Sequence, residues 1–257
     1  MNADPMAFDK DAFYAQLGLP DVGLIDKRIA KKMVLEHGQL TSADKKTLSS
    51  DVDKLTWKYT LKADTVQVLP YEDSDREYLE IDLIEADLSH RSRAPRIAEL
   101  LQRAIPYPVL LVMVEGDAFC VSVAHKRFSR AEQGAIVAEG FLCSPWIEPP
   151  LSEIDQAFCE ALALPSLSRV DFYALYRGMV DAVLARTCGE LTGTFVVDAT
   201  QPEQDRRQRL EQCHTMERDI RRLRVAIAKE DQFAEKVELN TRIKELEDRL
   251  VRTKAEL

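Results

Sequence analysis

The sequence predicts an α+β fold: a mostly antiparallel sheet flanked by helices, then a helical pair and a C-terminal coiled-coil-like helix or helical hairpin. Three observations support this prediction. Segments with an apolar residue at every second position alternate with helical segments over the first 150 residues. From residue 151 onward, helical spacing dominates. After Pro202 the chain has no Gly or Pro, and its apolar residues recur in steps of four and three.

Changes in these patterns divide the chain into five segments. We expect residues 1–23 to form an N-terminal helix and turn, and residues 24–150 to form the α+β body. Residues 151–192 are predicted as a helical pair and residues 193–202 as an extended linker. Residues 203–257 are predicted as a helical or coiled-coil tail.

The body is predicted to begin with two helices. Residues 24–38 carry apolar residues at helical spacing and end in Gly38, a residue typical of helix C-termini. Residues 40–52 contain Thr41 and Ser42, either of which is a suitable N-cap.

Alternating or continuous apolar runs predict the strands. They are KLTWKYTLKA (54–63), TVQVLP (65–70), REYLEIDLIEADLS (76–89), PVLLVMV (108–114), AFCVSVAHK (118–126) and AIVAEGFLCSPWI (135–147). A helix with an apolar stripe is predicted at residues 94–105, with Pro95 in its first turn. Because the apolar face changes sides near Leu83, we expect a bulge or strong twist there. Residues 109–114 are apolar on both faces, which is typical of a central strand.

The charge distribution argues against a non-specific nucleic-acid binder. The chain carries 35 basic and 44 acidic residues, and residues 203–257 hold 14 of the basic and 13 of the acidic ones. Residues 1–202 therefore hold 21 basic and 31 acidic residues. Because phosphate neutralisation dominates nucleic-acid affinity, only a local basic stripe could serve that role.

Composition also bears on compartment and cofactors. The five cysteines lie far apart with no CxxC, so neither a disulfide framework nor a zinc site is predicted. No apolar run approaches the roughly 20 residues of a membrane helix, and the first residues do not resemble a signal peptide. We expect a cytoplasmic protein without membrane association, metal or cofactor.

No common catalytic motif is present, and no catalytic residue is predicted. The P-loop, the dinucleotide-binding glycine motif, GxSxG and HExxH are all missing from the sequence. One alternative is a divergent metal-dependent nuclease that uses Glu80 and Asp82 from one strand and Lys126 from another. Polar residues on the solvated face of a sheet are the simpler interpretation, because the spacing lacks the acid-x-lysine pair typical of such sites.

Two groups of basic residues are candidate phosphate contacts. Lys27, Arg28, Lys31 and Lys32 cluster early in the body. Lys126 and Arg127 follow His125 at the end of a predicted strand, where alternation places His125 and Lys126 on opposite faces. We interpret this triplet mainly as the solvated end of the strand, with contact to a partner or nucleic acid as the alternative.

The tail carries two apolar seams of the kind that pairs helices. Each seam steps by four, three and four residues; its members are Met216, Ile220, Leu223 and Ile227, then Leu239, Ile243, Leu246 and Leu250. The intervening segment shifts the register, so either one helix continues through a stutter or the chain folds back as a hairpin. We expect the seams to bind a partner helix or a second copy of the chain.

Five separated strings resemble one known family. They are RIAKKMVLEH with LTSADKKTLSSDVDKLTWKYTLK, YEDSDREYLEIDLIEADL, RIAELLQRAIPYPVLLVM, VSVAHKRFS and AKEDQFAEKVELNTRIKELEDRL. Together they resemble the bacterial family catalogued as domain of unknown function 4391, over roughly residues 24–257; Ala30 stands where we expect Pro in members. The resemblance implies a cytoplasmic protein without an assigned activity, encoded in defence-type gene clusters beside helicases and DNA methyltransferases. It implies no catalytic residue.

We therefore predict a non-enzymatic accessory subunit of a bacterial, anti-phage defence assembly. Its body and tail would bind a protein partner, such as the helicase or DNA methyltransferase of the same gene cluster, and the tail could form a homo-oligomer. The alternatives are a nucleic-acid-contacting adaptor and the divergent nuclease.

Overall fold

The computed structural model describes residues 10–37, 40–132, 134–198 and 200–257. The predicted helix end at Gly38 and residues 1–9 of the predicted N-terminal segment lie outside these ranges. The chain divides into two compact units, one reaching to Thr187 and the other running from Cys188 to Leu257. No helix in the described ranges combines the length and apolar character needed to cross a bilayer.

The first unit is built on a six-stranded sheet, and the predicted mostly antiparallel α+β class is confirmed. The strands of the chain are β1 (Leu24–Arg28), β2 (Val52–Lys62), β3 (Tyr71–Glu72), β4 (Glu77–Tyr78), β5 (Glu80–Leu88), β6 (Val109–Glu115), β7 (Ala118–Phe128) and β8 (Ile136–Cys143). The sheet has the order β1-β2-β5-β6-β7-β8, while β3 and β4 pair as a separate hairpin. Neighbouring strands run antiparallel except β5 and β6, which are parallel.

Helices cover both faces of this sheet and continue into the second unit. They are α1 (Lys10–Gln16), α2 (Lys31–His37), α3 (Ser42–Asp51), α4 (Ala63–Val66), α5 (Ala94–Ala104), α6 (Glu153–Leu162), α7 (Phe172–Thr192), α8 (Glu203–Lys229) and α9 (Phe233–Lys254). Helix α5 makes the crossover that the parallel pair β5 and β6 requires, and it packs on alternate residues of those strands. On the opposite face, Phe13 of α1 packs against Phe119 of β7 with ring centroids 4.6 Å apart.

Local sequence signals explain several boundaries. Thr41 is the N-cap of α3, as predicted, and forms a capping box with Asp44. Pro95 lies in the first turn of α5. The apolar run Val109–Val114 is buried on both faces of the central strand β6, also as predicted.

Three predicted elements differ in the structure. Residues 24–28 form strand β1 rather than a helix, because they pair along β2, and the helix of this region begins only at Lys31. Residues 65–70 do not form a strand: α4 occupies part of the segment, and Gln67 ends it in the left-handed conformation with φ of 54°. The predicted third strand is divided into β4 and β5.

The irregularity expected near Leu83 is present, but it lies in the neighbouring strand β2 rather than in β5. The register of β2 shifts between Trp57 and Tyr59, directly opposite Ile84 and Leu83. The inserted residue reverses the faces of β2 itself. Strand β5 pairs with β6 in unbroken register and is buried on both faces, which accounts for its change of apolar face.

The second unit contains a helical hairpin. Helices α8 and α9 run back along one another and are joined by ion pairs from Arg224 to Glu247 at 2.7 Å and from Lys254 to Glu217 at 2.9 Å. At the open end, the guanidinium of Arg206 donates to the carbonyl oxygens of Val196 and Leu257. The structure thus selects the hairpin over one continuous helix.

Candidate functional site: buried ionisable residues and a basic pocket

Asp82 is a buried carboxylate at the centre of the sheet. It lies on β5 opposite Thr60 of β2, and its side chain is fully buried. Burial raises the pKa of Asp82 to about 6, and the nearby Thr60 hydroxyl opposes the shift without forming a well-aligned hydrogen bond to the carboxylate. Such a group is protonated more readily than an exposed aspartate, which is a property that catalytic acids share with some structural residues.

The other two residues of the nuclease alternative do not join Asp82 in one site. Glu80 pairs with Lys62 at 3.1 Å. The ammonium group of Lys126 is bound at the end of α5, to the carbonyl oxygens of Gln102 and Ile105. Within the described ranges, no three His, Cys, Asp or Glu side chains form a potential metal-ligand set. The structure does not assemble Glu80, Asp82 and Lys126 as a metal-dependent catalytic centre.

Lys126 is a buried helix cap rather than a surface cation. Its side chain is 2% exposed, and burial lowers its pKa to about 7. The carbonyl oxygens that it binds are those left without partners at the C-terminal end of α5, where a cation is also favoured by the helix dipole. The prediction that Lys126 lies at a solvated strand end is therefore wrong, while the alternative that it contacts a partner or nucleic acid stays a prediction.

His125 lies on the opposite face of β7, as strand alternation predicts. It is 7% exposed, and its Nδ1 is 3.0 Å from the Tyr78 hydroxyl. Because that hydroxyl already accepts a hydrogen bond from the backbone N–H of Lys126, its own proton is available to Nδ1. The hydrogen bond to Tyr78 and the burial of the ring make His125 a core residue.

Two more polar side chains fill the sheet where β6 and β7 separate. The Tyr176 hydroxyl from α7 donates to the Val109 carbonyl at 2.8 Å and accepts from the Ala124 N–H. From the other face, Gln102 Nε2 donates to the carbonyls of Val109 and Ser122. These side-chain contacts replace the backbone hydrogen bonds that β6 and β7 do not form with each other at this point. The buried polar side chains of Tyr176 and Gln102 therefore satisfy backbone N–H and C=O groups of the two strands.

Arg127 lies at the partly solvated end of β7, as the simpler interpretation of the triplet His125, Lys126 and Arg127 predicts. Its Nε donates to Glu139 of β8 at 2.7 Å, and Arg76 approaches the same carboxylate at 3.8 Å. The Arg127 side chain is about one-quarter exposed, at 27%. It is an ion-paired residue at the end of the strand, and its charge is already compensated.

The four early basic residues have different environments. Lys31 Nζ donates to the carbonyls of Ser49 and Val52, at 3.0 and 2.6 Å, and so caps the C-terminal end of α3. Lys32 lies 3.5 Å from Glu36. Lys27 and Arg28 are exposed on β1, and neither forms an ion pair with a carboxylate of the described chain.

Arg28 and Lys31 line a pocket at the edge of the sheet. The pocket has a volume of about 300 Å³ and lies where the chain passes from β1 to α2 beside the start of β2. Its lining residues are Arg28, Ile29, Ala30, Lys31, Asp53, Lys54 and Leu55. Three cations and one carboxylate thus surround the pocket.

Sequence reasoning missed Asp53 and Lys54 as members of this pocket. Lys54 begins the predicted strand 54–63 and Asp53 directly precedes it, whereas in the structure both belong to β2. The pocket forms because Ile29 donates its N–H to the carbonyl of Leu55 and so brings the two segments together. That pairing depends on β1 being a strand, which the helical spacing of residues 24–38 obscured.

The eight seam residues of the tail pack within the hairpin. Met216, Ile220 and Ile243 are buried, and the other five are partly buried. Large apolar side chains outside the seam remain exposed; they are Val225 at 55%, Phe233 at 80%, Val237 at 49% and Val251 at 69%. The partner helix of each seam is therefore supplied by the same chain, and the exposed apolar residues lie elsewhere on the hairpin.

Comparison with known proteins identifies a family. No curated protein and no solved structure matches the chain. The sequence profile of the family described as "Domain of unknown function (DUF4391)" matches residues 17–250, which span both compact units and most of the sequence. The chain belongs to the DUF4391 family.

Proposed function

We propose that this protein is a non-enzymatic accessory subunit that binds a protein partner through its α8–α9 hairpin. The observation that supports the proposal is the exposure of Phe233, at 80%, beside the turn between the helices. Full burial of a phenylalanine side chain is worth roughly 1.5–3 kcal/mol, so a solvent-exposed one forgoes most of that stabilisation.

The tip of the hairpin, defined here as Val225, Phe233 and Val237, has the composition of a contact surface. All three side chains are about half exposed or more, and none belongs to the seam that holds the helices together. Aromatic residues are enriched at the centres of protein interfaces, where they supply much of the binding free energy. A partner with an apolar depression would bury the tip without opening the hairpin.

The length of the helices suits this role. Helix α8 has 27 residues and α9 has 22, so α8 extends for about 40 Å. The interhelical ion pairs and the buried seam make the hairpin a defined element on which the tip is held. The anti-phage defence setting enters the proposal through the family resemblance alone, which suggests the helicase or DNA methyltransferase of the same gene cluster as the partner.

The tip is tested by a double variant, Phe233→Ser with Val237→Ser, in the full chain. The control is Val251→Ser, which changes an equally exposed apolar residue on the same helix outside the tip. Each protein is purified at native levels from cells that contain the whole gene cluster, and its retained partners and its mass by light scattering are measured. The proposal predicts a loss of partner, or of self-association, in the tip variant only.

Equal partner retention and equal mass for wild type, tip variant and control would contradict the proposal. Circular dichroism on all three proteins verifies that the hairpin is intact. A seam variant such as Leu246→Asp is less informative, because Leu246 packs inside the hairpin and its replacement would disrupt the element itself.

The nucleic-acid-contacting adaptor is the second candidate function, supported by the exposed cations Lys27 and Arg28 and by the basic pocket. A gel shift that weakens steeply with salt would support it, since neutralising several phosphates makes affinity fall strongly with ionic strength.

A further inference from the structure

The basic pocket combines features that a surface ion-pair cluster lacks. It is concave, its volume of about 300 Å³ lies at the lower end of the range for small-molecule sites, and Ile29 and Leu55 contribute apolar lining. Arg28 and Lys54 are exposed residues without an ion-pair partner in the described chain. Their charges are available to a ligand.

Lys31 supplies a third positive charge, and its position is fixed. Two of its three ammonium protons are donated to the carbonyls of Ser49 and Val52. The third N–H of the ammonium group has no acceptor within the described part of the chain and is available to an anion. Preorganisation of this kind lowers the entropic cost of binding.

The carboxylate of Asp53 makes this basic pocket selective among anionic ligands. One of its carboxylate oxygens accepts a hydrogen bond from the Ser89 hydroxyl at 2.9 Å, which leaves the other oxygen as an acceptor in the lining. This carboxylate weakens the binding of a ligand that carries only negative charge. A ligand that also carries a hydroxyl or amino donor would hydrogen-bond to it.

We propose that the pocket formed by Arg28, Lys31, Asp53 and Lys54 binds a phosphoryl group attached to a small organic moiety that carries a hydroxyl or amino donor. Arg28 matches the geometry of a phosphate through paired N–H donors, while the two lysines act as point charges. The pocket is formed by residues of the first unit alone, and the proposal does not depend on the hairpin tip. The phosphoryl group can belong to a free nucleotide or sugar phosphate, or to the end of a nucleic-acid strand.

The test is titration calorimetry on the full chain with adenosine 5′-monophosphate, and with adenosine as the unphosphorylated control. We expect the monophosphate to bind at least about tenfold more tightly than adenosine. Arg28→Gln and Lys54→Gln should each weaken its binding by roughly five- to tenfold. The matched control is Lys45→Gln, which removes the same charge from an exposed lysine of α3 outside the pocket and should leave binding unchanged.

Lys31 is not a suitable test position, because its loss would also uncap α3. Asp53→Asn provides an independent readout, since removing the negative charge should strengthen binding of inorganic phosphate several-fold while it weakens the preference for the nucleotide. A short single-stranded DNA with and without a 5′-phosphate distinguishes the sources. Tighter binding of the phosphorylated strand than of the mononucleotide would assign the site to nucleic-acid ends.

Three results would overturn the proposal. The first is no measurable binding of the monophosphate or of inorganic phosphate at roughly 5 mM. The second is binding that Arg28→Gln and Lys54→Gln leave unchanged while their circular dichroism matches wild type. The third is equal affinity for adenosine and its monophosphate.

Discussion

The two compact units depart in different ways from the usual separation of apolar core and polar surface. The first unit buries ionisable side chains, among them Asp82, Lys126 and the pair Asp155 and Arg186. The second exposes large apolar side chains at the hairpin tip, of which Phe233 is 80% exposed. Both departures cost free energy, but they differ in whether the chain itself compensates them.

Most buried polar groups of the first unit have a structural explanation. Lys126 caps α5, Tyr176 and Gln102 bind strand backbone, and Arg186 neutralises Asp155. The exposed apolar residues of the hairpin tip have no such compensation within the described chain. The difference teaches that a buried charge stabilises the fold only where the chain supplies a partner, as at Arg186, whereas Asp82 and the apolar tip carry a cost that the described chain does not offset.

The largest expected effect concerns the buried ion pair between α6 and α7. Arg186 Nε lies 2.8 Å from Asp155, and both side chains are less than one-tenth exposed. Arg186→Met would leave the carboxylate buried without its counter-charge, so we expect a loss of about 3–5 kcal/mol in the free energy of unfolding, measured by denaturant titration. The control is Arg177→Met on the same helix, whose side chain is 47% exposed and whose ion pair to Asp181 spans 3.8 Å. A loss below about 1 kcal/mol in the Arg186 variant would mean that the pair is not a compensating interaction.

Lys126 gives a pH-dependent test of the same contrast. Its pKa is about 7 in the folded chain, whereas an exposed lysine titrates near 10.5. Between these values the unfolded chain binds more protons, so the stability of the wild type should rise with pH from about 7 upward. Relative to Lys126→Met, the rise between pH 7 and pH 9.5 should be roughly 3 kcal/mol. Parallel stability curves for the two proteins over this interval would show that Lys126 is hydrated rather than buried.

Local sequence patterns predict some parts of this fold and miss others. The apolar run of β6 and the N-cap at Thr41 are local signals that predicted their elements correctly, and the seams of the tail predicted its helices while leaving one helix or a hairpin open. The strand β1 was missed because Ile25 and Ile29 fit helical spacing, and the decisive contact is pairing with β2, about 30 residues later. Local spacing contains no information on such long-range pairing.

The candidate site was less predictable than the fold for the same reason. Alternation correctly separated His125 from Lys126, but it could not show that β7 continues into the core at that point, with α5 and the tyrosines of β4 and α7 covering it. Lys27 and Arg28 were recognised by their charge. The pocket additionally needs Asp53 and Lys54, which the fold brings beside Arg28 and Lys31.

Asp82 provides a smaller effect with the opposite dependence on pH. Its pKa is about 6 in the folded chain against a usual value of 3.8, so the folded chain binds the extra proton between these values. Stability should therefore fall as pH rises from about 4 to 6 and stay reduced above that range. Asp82→Asn should remove this fall and be about 2 kcal/mol more stable than wild type at pH 7, measured by thermal unfolding across pH. Glu80→Gln, on the same strand but paired with Lys62 near the surface, is the control and should change stability by less than about 0.5 kcal/mol.

The smallest expected change in the free energy of unfolding is that of Phe233→Ser, which tests whether the tip residue contributes to stability. Phe233→Ser alters a side chain that is 80% exposed, so the free energy of unfolding should change by less than about 0.5 kcal/mol. Ile243→Ser is the contrasting variant, because Ile243 is buried in the seam and its loss should cost about 2–4 kcal/mol. If Phe233→Ser instead destabilised the isolated chain by more than about 1 kcal/mol, then Phe233 would be covered by the chain itself. In that case the tip could not be an uncompensated apolar surface, and the contrast between the two units on which the partner proposal depends would be lost.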